Sequence, residues 1–184
     1  MRIISGEARG RSIDAPAGLH TRPTLDRVRE NMFNMLQSEV PDSRVLDLFA
    51  GSGALSLEAL SRGAAEAVLV DTDRNAHMTQ RKNIEKLRYS GRARTMHCDW
   101  KKALEALKAE KKTFDLVFLD PPYAMTDLSE VFTAVVPLIG PESLVILEYE
   151  AGKEITVPES FSRLKDRSWG FCAVSIFRIT PQGG

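Results

Sequence analysis

Asp120-Pro121-Pro122-Tyr123 sets a carboxylate, two rigid residues and an aromatic ring in succession, directly after the apolar run Phe114–Leu119. Pro122 has no N–H and holds the chain extended, so the carbonyl of Pro121 is left free. A carboxylate and that carbonyl can together accept both hydrogens of a planar exocyclic amine. Such a grip turns the nitrogen lone pair toward an electrophilic methyl group, and Tyr123 offers a face on which a base stacks. The competing account is a stiff loop with a helix-capping aspartate. Its position, at the same strand ends as the glycine loop described next, favours the chemistry.

That loop lies in Val45–Leu60, VLDLFAGSGALSLEAL, where a buried strand runs into Gly51-Ser52-Gly53 and then a helix. Glycines there permit a tight turn and close approach of a ligand, and the helix supplies free N–H groups. Phe49, Ala50, Gly51, Ser52 and Gly53 are the candidate cradle. The dinucleotide fingerprint G-x-G-x-x-G is incomplete, because Ser56 occupies its third position. Asp47, inside the preceding strand, would repel a pyrophosphate and attract a sulfonium or an amino-acid ammonium. Further acids follow at successive strand ends. Asp71, with Thr72 beside it, suits ribose hydroxyls. Asp99 can accept from an adenine amino group, with Trp100 alongside the ring, while Asp73 is expected to cap the next helix.

Placing these residues on one edge requires stacked βαβ units. Strands are expected at Arg44–Leu48, Ala67–Val70, Ala93–His97, Phe114–Leu119 and Ser143–Tyr149, with helices from Gly53 to Arg62, Arg74 to Leu87 and Asp99 to Glu110. Leu128, Val131, Phe132, Val135 and Val136 mark one apolar face of a fourth helix. Phe161–Trp169 and Phe171–Ile179, joined at Gly170, should pair antiparallel. The expected fold is therefore α/β: a doubly wound, Rossmann-like, mostly parallel seven-stranded sheet closed by an antiparallel C-terminal hairpin. At the front stand a small hairpin around Gly6–Gly10 and a helix from Thr24 to about Ser38, with Leu25, Val28, Met32, Met35 and Leu36 on one side. Residues 1–184 read as one domain, with 1–38 as an extension.

A chain of 184 residues, 43% hydrophobic and 27% charged, suits one core and not a disordered segment. No apolar run reaches the ~18 residues of a membrane span, and the N-terminus lacks the apolar stretch of a secretory signal. Cys98 and Cys172 are far apart, which argues for a reducing, cytoplasmic setting without disulfides. The histidines, His20, His77 and His97, have no metal-ligand spacing. With 25 basic and 25 acidic side chains the net charge is zero. Its distribution is uneven, because Arg2, Arg9, Arg11, Arg22, Arg27 and Arg29 outnumber Glu7, Asp14 and Asp26 in the first 29 residues. Arginine's planar fork suits phosphate, while a soluble terminal face explains the same residues equally well at this stage.

VLDLFAGSGALSLEAL, Asp71, Asp99 and DPPY together resemble the class I S-adenosylmethionine-dependent methyltransferases that act on exocyclic amines. Gly6–Arg11 (GEARGR), Thr21–Glu30 (TRPTLDRVRE) and Phe33–Leu36 (FNML) are similar to the bacterial small-subunit ribosomal RNA guanine-N2 methyltransferases of RsmD type. The resemblance spans almost the whole chain. It implies methyl transfer from S-adenosylmethionine, leaving S-adenosylhomocysteine, to the N2 amine of one guanine in 16S ribosomal RNA, without a metal. It also implies assembled small subunits as substrate in preference to naked RNA; a monomer is the expected state. Carried onto this chain, Asp47, Phe49–Gly53, Asp71, Thr72, Asp99 and Trp100 would hold the cofactor; Asp120, Pro121 and Tyr123 the target base; and the six arginines the RNA phosphates. The family commonly has glycine where Ser56 stands, from which a small packing adjustment is expected. An adenine-N6 methyltransferase acting on DNA or other RNA, and a non-catalytic RNA-binding assembly factor, are the alternatives.

Overall fold

The computed structural model describes residues 1–17 and 23–181. Seven strands form one sheet in the order β3-β2-β1-β4-β5-β7-β6. These are β1 (Arg44–Asp47), β2 (Glu66–Asp71), β3 (Ala93–His97), β4 (Phe114–Leu119), β5 (Ile139–Glu150), β6 (Phe161–Trp169) and β7 (Cys172–Ile179). The first five run parallel. The last two are antiparallel, because Gly170, at φ +60°, turns the chain straight back and leaves no crossover helix between them. The helices are α1 (Pro23–Met35), α2 (Ala54–Ser61), α3 (Arg74–Leu87), α4 (Trp100–Ala109) and α5 (Ser129–Val135), the last continued by a 3-10 turn at Val136–Leu138.

Both faces of the sheet are covered, which is why its central strands read as continuous apolar runs. Alternate residues go to opposite sides. Val45, Ala67, Leu69, Phe118 and Ile146 meet α1, α2, α3 and the N-terminal segment. Leu46, Val68, Val70, Val117 and Leu147 meet α4 and α5. Strand order reverses between β1 and β4, so the crevice beyond their carboxyl ends is where a ligand of such a sheet is held.

The expected front hairpin forms only in part. Arg2 and Ser12 make a single antiparallel bridge, and residues 5–10 are a tight loop without strands. Across the hairpin the N–H groups of Ile3, Gly10 and Ile13 donate to the carbonyls of Arg11, Ile3 and Met1, and the segment is also tied to α2: the Glu58 carboxylate accepts the N–H groups of Ile4 and Ser5 at 2.9 and 3.0 Å, and Ser61 Oγ accepts that of Ala8. Gly6, at φ +85°, lies so close to α2 that a Cβ would fall 1.9 Å from the Ser61 carbonyl oxygen.

Candidate active site

The carboxyl edge gathers the expected residues around a cavity of about 230 Å³. Phe49, Ala50, Gly51 and Ser52 of the glycine loop line it together with Asp120 and Glu148 from the strand ends and Met1, Ala15, Pro16, Leu25 and Arg29 from the N-terminal extension. The N-terminal extension therefore walls the site. The glycine loop owes its shape to α3. Gly53 stands at φ +84° with Leu69 so near that a Cβ would clash at 2.7 Å. Gln80 donates to the Gly51 carbonyl oxygen at 2.9 Å, and Asn83 donates to both Ser52 and Asp14, binding loop and extension together.

Asp71 stands where β2 ends, and its two oxygens accept the N–H groups of Gly51 and Asp73 at 2.8 and 2.9 Å. It orients the loop from beside the cavity. Asp73 caps α3 as expected, through Ala76 N–H. Asp99 caps α4 through Lys102 N–H, which leaves its second oxygen toward solvent. Trp100 packs partly on the α4–α5 side of the core, and Lys101 Nζ lies 5.5 Å from its ring centre. Thr72 is exposed, and its carbonyl meets a ring nitrogen of His97. His97 in turn stacks on His77, ring centres 5.1 Å apart, a pairing that sequence spacing does not reveal.

Asp47 departs from the expected role of lining the site. Its side chain is only 1% exposed and is not among the residues lining the cavity, with one oxygen accepting from Ser56 Oγ at 2.9 Å and the other without a partner. Burial pushes its carboxyl up to about 7. Ser56, expected to cause a small packing change, is thus a hydrogen-bond donor to the one buried acid of β1.

Asp120 is half-buried at the end of β4. Burial, then the nearby charges of Glu148 and Asp47, hold its carboxyl well above the usual range. Burial likewise raises that of Glu148. Tyr123 is exposed, and its hydroxyl lies 3.5 Å from Cys172 Sγ; Cys172 in turn reaches Glu148 Oε1 at 3.4 Å. That thiol contact and burial raise the phenol well above its ordinary range. Glu148 and Cys172 were hidden in sequence, because SLVILEY reads as a core strand and only the strand order brings β5 and β7 beside Asp120.

The arginines divide. Arg9 and Arg27 are exposed. Arg2 is exposed while donating to the Gly10 carbonyl, and Arg11 donates to the carbonyl of Lys86. Arg22 lies outside the described residues. Arg29 is a correction: it is only 5% exposed, donating to the Arg2 carbonyl and Asp26 and standing 3.7 Å from Glu58. Its fork is committed to holding α1 and the extension, not to an external phosphate.

A family model described as Conserved hypothetical protein 95 matches residues 1–178. Ribosomal RNA small subunit methyltransferase D of Escherichia coli (strain K12) is 37% identical over 186 residues, covering 100% of this chain and 92% of that protein. The chain belongs to this family of methyltransferases. The namesake from Haemophilus influenzae is 32% identical, with 97% and 93% covered. The solved structure of YhhF from Escherichia coli superposes with a TM-score of 0.83 at 37% identity over 99% of each chain. An RNA methyltransferase from Salinibacter ruber, solved with S-adenosyl-L-homocysteine, shares the fold at 14% identity, TM-score 0.67, covering 90% of this chain and 97% of that one. Among the described residues, no helix is long and apolar enough to cross a membrane.

Proposed function

We propose that this protein transfers a methyl group from S-adenosylmethionine to the exocyclic N2 amine of a guanine in 16S ribosomal RNA. On this reading it acts in the bacterial cytoplasm as a monomer, on assembling or assembled small subunits, with residues 1–38 as its RNA-binding extension. One observation carries the reading: Asp120 of the Asp-Pro-Pro-Tyr segment shares a cavity with the glycine-loop residues Phe49–Ser52.

The residues present fit the cofactor. The loop offers close backbone approach, Asp71 at the end of β2 has acceptor capacity for ribose hydroxyls, and the buried Asp47 has one oxygen without a partner. When bound, S-adenosylmethionine supplies the electrophilic methyl group. The chain does the rest. Asp120 and the Pro121 carbonyl accept the two N2 hydrogens and stabilise positive charge growing on the nitrogen. Tyr123 stacks on the base, which has to leave its helix to reach this edge. The proton passes to Asp120 or to water.

The reading is tested by transfer from labelled S-adenosylmethionine to small subunits, naked 16S RNA, transfer RNA and duplex DNA, all from cells lacking this protein. N2-methylguanosine in the ribosomal acceptor is the expected product. N6-methyladenine in DNA, or no transfer to any acceptor, overturns the reading.

A further inference from the structure

Asp120 has a cross-strand neighbour that the amine-holding mechanism leaves idle. The parallel register of β4 and β5 ends at Leu119 opposite Leu147, so the next residue of each strand, Asp120 and Glu148, stand side by side at the carboxyl edge. By alternation both follow Phe118 and Ile146 onto the face covered by the extension. Neighbouring strands lie about 4.8 Å apart, a spacing from which two carboxylates can address adjacent donors on one base.

Glu148 is 8% exposed, yet it lines the large cavity with Asp120. It also lines a smaller one formed by Pro121, Pro122 and Tyr123. It is thus the side chain common to the cofactor-side cavity and the base-holding segment. Its Oε1 accepts only from the Cys172 thiol, a weak donor. Its Oε2 has no hydrogen-bond partner among the described residues, and the side chain lines the cavity. A buried carboxylate held this way, without a cation, costs stability that a partner from outside would repay.

The chemistry of the partner follows from the atoms beside it. Guanine presents N1–H and N2–H₂ as adjacent donors on one edge. Adenine presents a bare N1 acceptor beside its N6 amine. We propose that Glu148 accepts the N1–H of the target guanine while Asp120 and the Pro121 carbonyl accept its N2 hydrogens, which makes Glu148 the residue that distinguishes guanine from adenine. Against adenine, the N1 lone pair meets a carboxylate oxygen, and both acceptors are left unpaired. The inference rests on the guanine-N2 reading above.

The test uses the full-length protein and small subunits reconstituted with 16S RNA, bearing either guanine or 2-aminopurine at the position found by nucleoside mapping. 2-Aminopurine keeps the N2 amine and replaces N1–H with a lone pair. The wild-type protein is expected to prefer guanine by about 10³-fold or more in kcat/KM. Glu148→Gln, of the same shape, is expected to lose about 100-fold on guanine and to narrow the preference to roughly tenfold, because a carboxamide N–H can donate to the bare N1. Glu148→Asp keeps the charge and is expected to retain the preference at a lower rate. Cofactor affinity and Tm serve as controls of folding.

A Glu148→Gln protein that binds cofactor normally and still discriminates as the wild type does overturns the inference. So does a wild-type protein that methylates both bases equally, a result that needs no variant to fold. In both cases guanine-N2 transfer itself stands. Absence of N2-methylguanosine with the wild-type protein on guanine-bearing subunits overturns the function and the inference together.

Discussion

A carboxylate that must accept hydrogen bonds works only when ionised, and the acids at this sheet edge are arranged against ionisation. Burial raises the proton affinity of both Asp120 and Glu148, and the charge of Glu148 raises that of Asp120 further, so methyl transfer should fall on acidification at a higher pH than an ordinary carboxylate would dictate. The pH profile of single-turnover transfer checks this, and a profile flat to pH 4 refutes it. Asp120→Ala should lower kcat by about 100-fold or more while cofactor affinity, read by calorimetry, stays near its original value. Asp47 affects stability instead. Its carboxyl sits at about 7 in the fold and near 4 in an unfolded chain, so folding takes up a proton between those values. Stability is therefore highest below about pH 4 as far as this group is concerned, and declines as pH rises through 7. Asp47→Asn keeps an acceptor for Ser56 and removes the charge. It should be more stable than the wild type at pH 8, by on the order of 2–4 kcal/mol, with the gap closing toward pH 4. Urea unfolding at the two pH values measures both arms.

At the scale of elements, α2 holds the extension through Ser61 and above all through Glu58. Glu58, 0% exposed, accepts from two N-terminal amides and from Arg62, and faces Arg29. Removing one member leaves buried charge or buried N–H groups unpaired. Arg29→Ala should therefore cost about 3–5 kcal/mol in urea unfolding, a loss that a phosphate-gripping surface arginine would not cause. This role was not legible beforehand, because an arginine in TLDRVRE reads the same whether it meets RNA or Glu58. The regular elements were legible: α3, β3 and β4 have the expected limits, since helical and strand periods differ and Asp73 announces its cap. The glycine loop and DPPY also fall where strand-end chemistry puts them. What escaped depends on non-local contacts. Glu148 needed the β4–β5 register, Ser56 needed the burial of Asp47, and Gln80 and Asn83 needed the loop and extension that close over them. The front hairpin was legible from its glycines, which mark turns, while its anchoring to α2 through Glu58 and Ser61 was not.

For the whole molecule, a net charge of zero means that attraction to RNA has to be local. The acids of the site are sunk within the edge, while Arg9 and Arg27 are exposed, Leu25 lines the cavity, and the exposed Tyr123 and Phe171 stand at the same carboxyl edge of the sheet. Phe171 is 79% exposed at the tip of the β6–β7 turn, next to the Cys172 that touches Tyr123. These two kinds of surface leave different signatures in binding. A charge that neutralises a phosphate releases counterions, so its removal changes how affinity depends on salt, by a slope of about 0.7 per contact for single-stranded RNA. An aromatic that stacks on a base contributes affinity without counterions, about 1–3 kcal/mol. Arg9→Ala with Arg27→Ala should accordingly reduce the slope of log Kd against log salt by about 1.4. Phe171→Ala should weaken binding about tenfold at every salt concentration and leave the slope alone. All three side chains point to solvent, so Tm should stay near that of the wild type, in contrast to Arg29→Ala. A salt slope that responds to Phe171, or one indifferent to both arginines, would mean that RNA enters from another side of the fold.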